Sequence, residues 1–332
     1  MNKSLYPTAQ DGPPDTQPDL ESNERHQSSV AILLCTYNGS AFLESQLESF
    51  AVQTHKNWVI YASDDGSSDN TLDILCTFQK KYGLDRLIIL NGPCQGFARN
   101  FMSLVKNLSI TANYYAFSDQ DDIWLEDKLE RSIATLERST QNVPTLYCSR
   151  TRLIDAGERV IGFSPLFRKP PGFRNALVQS LAGANTMLIN NASRDLLVET
   201  ADDANVIAHD WLAYLLVSGC GGNVSYDPLP TLDYRQHGGN LIGSNSSLKD
   251  RLSRVSKMFA GRFSEWSSHN LYILSNFKEK LTPENRLTLS HFDQARQSGL
   301  FRRVYLLKKS GAYRQTVQGN ISLLVAACLN KI

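Results

Sequence analysis

The alternation of short apolar runs with amphipathic segments most constrains how this chain of 332 residues can fold. Short apolar runs predict strands at 30–34, 58–63, 86–90 and 114–118, and the β-branched residues of the first run indicate a strand buried on both faces. Between these runs, apolar residues recur at helical spacing. The alternation predicts an α/β fold with a mostly parallel sheet that is flanked by helices and wound by right-handed crossovers.

Polar clusters directly follow three of the predicted strands. They are Thr36-Tyr37-Asn38, Asp64-Asp65 and Asp119-Gln120-Asp121-Asp122. Parallel sheets bind ligands beyond the carboxyl ends of their strands, so these clusters should share one ligand site. The three carboxylates of the last cluster repel one another unless a hard divalent cation, shared with a substrate diphosphate, lies between them. Each cluster taken alone is also compatible with a plain turn or a helix cap.

Composition and charge exclude several classes of protein. The chain is 42% hydrophobic with a net charge of +1, which is ordinary for a soluble enzyme and gives no field for nucleic acid. Six scattered cysteines without a CxxC pair predict free thiols in a reducing compartment. We find no signal peptide and no apolar run of the ~18 residues needed to span a bilayer. We therefore expect a cytoplasmic protein.

The two ends of the chain differ from its middle. Residues 1–28 are polar and proline-containing, which predicts a disordered leader. From Arg251 onward, the chain contains 14 Lys and Arg residues but only 4 Asp and Glu. The sequence predicts that this tail is mainly helical. The segment 301–309 interleaves basic with apolar residues. It is equally compatible with a helix lying on the inner face of the plasma membrane and with one packed on the main domain.

Three motifs together resemble family 2 glycosyltransferases, which have the GT-A (Rossmann-like) fold. They lie at 34–39, 63–69 and 118–122, and the resemblance extends over about 29–240. The segments 118–124 and 209–211 look most like the bacterial branch that adds rhamnose or related sugars to surface polysaccharides. The resemblance implies a GT-A domain over 29–245, followed by a helical, basic extension over 246–332.

The resemblance also implies a role for each cluster. The base and ribose of a UDP- or dTDP-sugar would lie against Thr36, Tyr37, Asn38, Asp64 and Asp65. Asp119 and Asp121 occupy the positions of the family's D-x-D motif, and Asp122 is a further possible metal ligand. Mg²⁺ or Mn²⁺ bound there would act as a Lewis acid that stabilises the departing diphosphate.

Inverting transfer also needs a base, because the acceptor hydroxyl loses its proton on the face opposite the diphosphate. The resemblance places this base at Asp210, at the start of a predicted helix, where a simple helix cap is the alternative. His237 would close over the diphosphate or bind the metal, although a structural histidine on a glycine turn is equally compatible. The remaining predicted donor contacts are Arg99, Asn100, Gln120, Asn185 and Arg235.

These expectations define an inverting, metal-dependent glycosyltransferase that acts on a lipid-linked glycan. One alternative is a catalytically silent nucleotide-sugar or glycan-binding protein, which would have no need for a base. A sugar nucleotidyltransferase is a second alternative, but the turn at 36–39 has no Lys or Arg for a phosphate loop. The same turn lacks the glycine pattern of a dinucleotide-binding oxidoreductase.

Overall fold

A seven-stranded sheet organises the protein. The computed structural model describes residues 28–140, 142–237 and 262–332, so nearly all of the predicted leader lies outside the described residues. The elements up to the acidic run are β1 Val30–Thr36, α1 Leu43–Ala51, β2 Trp58–Asp64, α2 Thr71–Tyr82, β3 Leu87–Asn91, α3 Phe97–Lys106 and β4 Tyr114–Ser118.

The chain continues through a second group of strands and helices. These are β5 Ile123–Trp124, α4 Lys128–Leu136, β6 Thr145–Ser149, β7 Arg152–Ile154, β8 Val160–Phe163, α5 Phe173–Ala176, a 3₁₀ turn Ala184–Thr186, β9 Leu188–Asn190, α6 Asn191–Val198, α7 His209–Gly219, β10 Asn223–Asp227 and β11 Leu232–Arg235. The C-terminal helices are α8 Arg262–Asn276, α9 Pro283–Gln297, α10 Leu300–Ser310 and α11 Val317–Cys328.

The main sheet has the strand order β10-β6-β9-β4-β1-β2-β3. All neighbouring strands are parallel except for β9, which runs antiparallel to both β4 and β6. The predicted mostly parallel sheet with flanking helices is therefore confirmed. The internal strand β1 is buried throughout, and alternate residues of β1 face the two halves of the core. This alternation follows from the two-residue period of a strand.

A smaller sheet of order β5-β11-β7-β8 adjoins the main one. The sequence predicts a helix beginning at Trp124, but this residue lies in β5 and the helix begins at Lys128. Trp124 pairs with Leu232 of β11, about a hundred positions away, and its ring contacts Phe50 at 4.6 Å. This long-range pairing is not visible in the local periodicity, which is why the predicted start of the helix is wrong.

The C-terminal helices pack on the face of the sheet that carries α3, α6 and α7. Phe277, Phe292 and Leu306 lie in the same buried cluster as Phe101 and Trp211. The predicted helical character of the tail is confirmed for 262–332, whereas 246–261 lies outside the described residues. In the part of the chain that the structure describes, no helix is long and apolar enough to cross a membrane.

Candidate active site

The ends of β1 and β2 form a closely bonded turn. The buried carboxylate of Asp64 accepts hydrogen bonds from the hydroxyl of Thr36 at 2.8 Å and from the backbone N–H of Ser67 at 2.8 Å. Asp65 N–H donates to the carbonyl of Thr36, while the Asp65 carboxylate accepts from the N–H groups of Cys94 and Gly96 at 2.7 and 2.8 Å. Both carboxylates are thus fixed in orientation before any ligand arrives.

The turn after β1 is joined to the acidic run by one side chain. The Gln120 amide accepts from Tyr37 N–H at 2.8 Å and donates to the Tyr37 carbonyl at 3.0 Å. A Cβ on Gly39 would lie 2.2 Å from Oε1 of Gln120, so only glycine fits beside this contact. The exposed ring of Tyr37 and the left-handed Asn38 (φ 48°) remain at the surface of the site. The structure therefore brings the first and third predicted clusters into contact.

The three acids of the run after β4 face different surroundings. Asp122 is fully buried and accepts from the Asn185 side chain at 2.5 Å and from Arg235 N–H at 3.2 Å. Burial raises the pKa of Asp122, and the charges of Asp121 and Asp119 raise it further. Burial together with the charges of Asp121 and Asp210 raises the pKa of Asp119 to about 7. Asp119 therefore lies close enough to both Asp121 and Asp210 for their charges to interact.

Arg235 and His237 contact Asp121 from the end of β11. The buried guanidinium of Arg235 donates to the Asp121 carbonyl at 3.0 Å and pairs with Glu158 at 3.0 Å. The Nε2 atom of His237 lies 2.8 Å from an oxygen of the Asp121 carboxylate. Both predicted residues thus adjoin the acidic run. The guanidinium of Arg235, a residue that is 1% exposed, fixes the backbone of the run at Asp121.

Asp210 lies in the first turn of α7, where its carboxylate accepts from Trp211 N–H at 2.7 Å. Burial raises the pKa of Asp210 to about 6. The preceding His209 is buried, stacks on Phe101 with ring centres 3.9 Å apart, and has no hydrogen-bond partner among the described residues for either ring nitrogen. Burial lowers the pKa of His209 to about 3, so this imidazole is neutral beside Asp210.

Two predicted donor contacts are engaged with the protein itself. The buried amide of Asn100 accepts from the Ser63 hydroxyl at 2.6 Å and donates to the Ser63 carbonyl at 2.9 Å, which fastens α3 to β2. The guanidinium of Arg99 donates to the Asp202 carbonyl. A direct contact of either side chain with a donor remains a prediction.

Sequence reasoning missed Lys128 and Glu158. Lys128 is 1% exposed, donates to the Thr186 carbonyl at 3.2 Å and lies 4.5 Å from the centre of the Trp124 ring. Burial lowers the pKa of Lys128 to about 7, against the opposing charge of Asp122. Lysines in predicted helices are mostly solvated, so the sequence carries no signal for this one. Glu158, which pairs with Arg235, follows a turn that has no recognisable motif.

The acidic run offers ligands that suit a hard cation. Asp121 faces the site with an 18% exposed side chain, and Asp119 is close enough for their charges to interact. Within the described ranges, no three His, Cys, Asp or Glu side chains are already grouped to hold a metal. Mg²⁺ is commonly held by one or two carboxylates together with substrate phosphates. The carboxylates of Asp119 and Asp121, which follow β4, fit that pattern.

Comparison with known proteins agrees with this geometry. Residues 31–175 match the family model described as glycosyl transferase family 2. The chain is 32% identical over 232 residues to the dTDP-rhamnosyl transferase RfbG of Shigella flexneri, covering 67% of this chain and 78% of that protein. The chain therefore belongs to glycosyl transferase family 2, and it is a glycosyltransferase.

Another relative shares a shorter stretch. The UDP-Glc:alpha-D-GlcNAc-diphosphoundecaprenol beta-1,3-glucosyltransferase WfgD of Escherichia coli is 31% identical over 119 residues, which are 36% of this chain and 44% of that protein. The stretch common to both proteins is thus much shorter than the one shared with RfbG.

Solved structures show the fold. S. aureus TarS 1–349 in complex with UDP-GlcNAc superposes with a TM-score of 0.52 at 14% identity, covering 91% of this chain and 90% of that one. The mannosyltransferase PcManGT from Pyrobaculum calidifontis, in complex with GDP-Man and Mn²⁺, gives 0.51 at 14% identity, covering 96% and 89%. The protein thus has the GT-A fold, as the sequence predicts.

Proposed function

We propose that this protein is an inverting, metal-dependent glycosyltransferase that moves rhamnose from dTDP-rhamnose to a lipid-linked glycan during surface-polysaccharide synthesis. The observation that carries the proposal is that Asp119 lies close enough to Asp121 and Asp210 for their charges to interact. Asp119 and Asp121 follow β4, whereas Asp210 lies in α7. The name of the Shigella flexneri relative, dTDP-rhamnosyl transferase, supports dTDP-rhamnose as the donor. A UDP-sugar is the alternative donor within the same proposal.

The donor would lie along the ends of β1, β2 and β4. In this proposal the fixed carboxylates of Asp64 and Asp65 accept hydrogen bonds from the base and ribose, with Thr36, Tyr37 and Asn38 beside them. Asn185, held by Asp122, positions the turn 184–186 under the sugar. Because these groups are already bonded to the protein, little reorganisation is needed when the donor binds.

The proposed reaction is a single in-line displacement. The acceptor hydroxyl oxygen attacks the anomeric carbon, the bond from that carbon to the diphosphate breaks, and Asp210 takes the hydroxyl proton. A carboxylate with a pKa of about 6 is ionised at neutral pH and is a stronger base than an ordinary aspartate. Asp119 and Asp121, with His237 and Asp122 as further candidates, would hold Mg²⁺ or Mn²⁺, which would neutralise charge on the departing nucleotide diphosphate.

A lipid-linked acceptor and a site of action at the inner membrane surface complete the proposal. The WfgD relative is named for a sugar carried on diphosphoundecaprenol, which supports an acceptor of this class. A cytoplasmic transferase meets such an acceptor only where the lipid presents its sugar at the membrane surface.

Calorimetry and turnover on the same variants test the proposal. The protein is titrated with dTDP, UDP and GDP in the presence of Mn²⁺, Mg²⁺ or EDTA. We expect one nucleotide to bind only with metal, and Asp121→Asn to weaken this binding at least about tenfold, since a charge-assisted ligand is lost. Asp210→Asn should bind nucleotide normally and lose turnover by on the order of 10²- to 10⁴-fold.

Asp195→Asn, on helix α6 outside the site, is the control of equal charge change. Wild-type protein that is folded but binds none of the three nucleotides would overturn the transferase proposal in favour of a silent glycan-binding protein. Normal turnover in Asp210→Asn would remove Asp210 as the base.

A further inference from the structure

Helix α11 presents apolar side chains to solvent along its whole length. Its buried side, formed by Leu323, Ala326 and Ala327, joins the core. Its exposed apolar residues repeat at helical spacing; apart from Gln318, the exposed residues of the helix are Val317, Ile321, Leu324, Val325 and Cys328, and exposed Leu329 follows directly. Three turns of exposed apolar surface on a helix are unusual for a face that contacts only water.

The neighbouring helix α10 adds aromatic and basic side chains. The two helices are joined by buried Arg303, whose guanidinium donates to the Ala327 carbonyl at 3.0 Å. The exposed residues of α10 are Leu300, Phe301, Arg302, Tyr305, Lys308 and Lys309. Phe301 is 89% exposed and Tyr305 62%. Aromatic rings next to lysine and arginine are typical of segments at a lipid–water interface.

The charge of this region has one sign. Residues 298–332 contain six Lys and Arg and no Asp or Glu. The ion pairs formed by the described part of the C-terminal region involve residues outside 298–332. They are Arg174–Glu284, Lys280–Glu199 and Arg286–Glu279. Arg302, Lys308 and Lys309 form no ion pair with the residues that the structure describes, and their charges therefore remain available to an external anion.

We infer that α10 and α11 together form a docking face for an anionic phospholipid bilayer. The stripe of α11 enters the boundary between headgroups and acyl chains, and the cations of α10 contact lipid phosphates. A second copy of the chain fits this face poorly. A two-fold contact would place the lysines and arginine of one copy against those of the other, with no Asp or Glu to neutralise them. The biological role of this docking rests on the proposed function, because docking would bring Asp210 to an acceptor that is carried on a lipid.

Vesicle flotation of the 332-residue protein tests this docking face. Wild-type protein should float with vesicles containing phosphatidylglycerol and remain behind with pure phosphatidylcholine. Ile321→Glu should weaken partitioning about tenfold, since an inserted apolar side chain is lost. Lys308→Gln with Lys309→Gln should weaken it by about fivefold per charge and reduce its salt dependence. Leu229→Glu is the matched control, because Leu229 is 63% exposed and Ile321 is 59% exposed.

The other outcomes distinguish the possible partners. The inference would be overturned if wild-type protein did not float with anionic vesicles, or if the variants floated to the same extent as wild type. Light scattering that shows a dimer split by Ile321→Glu would replace the bilayer with a second copy of the chain. Nucleotide titration of the same samples reports separately on the proposed function. Protein that floats with the vesicles but binds no nucleotide would contradict the transferase proposal and still support the docking face.

Discussion

At the scale of single residues, the site keeps carboxylates where their charge is unfavourable. Burial raises the pKa of Asp210, and the neutral ring of His209 beside it supplies no compensating charge. The folded protein therefore binds a proton at Asp210 more tightly than the unfolded chain does. Stability contributed by this group is present at acidic pH and is lost as the pH rises towards about 6. The protein keeps a base of suitable strength at a cost in stability.

The rate of sugar transfer should follow the ionisation of Asp210. We expect kcat, measured with saturating donor and metal, to be level above pH 7 and to fall about tenfold per pH unit well below pH 6, because protonated Asp210 cannot accept the acceptor's proton. A kcat that stays level down to pH 5 would contradict the role of Asp210. The Asp210→Asn variant should melt at a higher temperature than wild type, which excludes unfolding as the cause of its inactivity.

At the scale of elements, several candidate residues stand at the end of a strand and are held by a residue from another element. Gln120, between β4 and β5, bonds both backbone groups of Tyr37, which follows β1. Arg235, at the end of β11, fixes the backbone of Asp121 and reaches Glu158 in the β7–β8 hairpin. The geometry of the site therefore depends on contacts between elements distant in sequence.

Gly39→Ala tests the contact between the first turn and the acidic run. The added Cβ would lie 2.2 Å from Oε1 and 2.4 Å from Cδ of Gln120, so the Gln120 side chain must leave Tyr37. We expect nucleotide affinity to fall about tenfold, the equivalent of losing about 1.4 kcal/mol of preorganisation. Gly299→Ala is the control, since a Cβ there meets nothing within 4 Å. Equal nucleotide affinity in the two variants would show that this contact has no role in binding.

The sequence predicts the parts of the structure that are encoded locally. The strands around β1, their order along the chain and the polar clusters at their ends follow from periodicity and composition. The pairing of β5 with β11 joins Trp124 to Leu232, so no local pattern reports it. Lys128 and Glu158 likewise gain their roles only when distant segments meet. Arg99 and Asn100 lie near the start of α3, and their bonding to Asp202 and Ser63 depends on packing that periodicity does not specify.

At the scale of the whole molecule, the C-terminal helices and the sheet share one core. Phe277, Phe292 and Leu306 lie in the same buried cluster as Phe101 and Trp211. We propose that the catalytic domain spans 29–245 and that 246–332 is an extension that depends on it for its fold. A shared core predicts that the two parts unfold together, since neither can expose its apolar surface without cost.

Phe292→Ala tests this dependence. Phe292 is fully buried, so the variant should lose ~3–5 kcal/mol of unfolding free energy through lost contacts and a cavity. We expect one melting transition at a lower temperature, with faster hydrogen exchange in β1 and β4 as well as in α9. Exchange that accelerates only in the C-terminal helices would show that the extension is an independent unit.

The antiparallel strand β9 has a consequence for the order in which the protein is assembled. The block β3-β2-β1-β4 is built entirely from residues 30–118, whereas β6 and β10 are attached to it through β9. Contacts between segments close along the chain form sooner than distant ones. On the ribosome, β2, which ends at Asp64 directly before Asp65, would be paired with its neighbours before Asp210 has been translated. A nascent chain would thus acquire the proposed nucleotide-recognition half while it still lacks the base that performs the transfer.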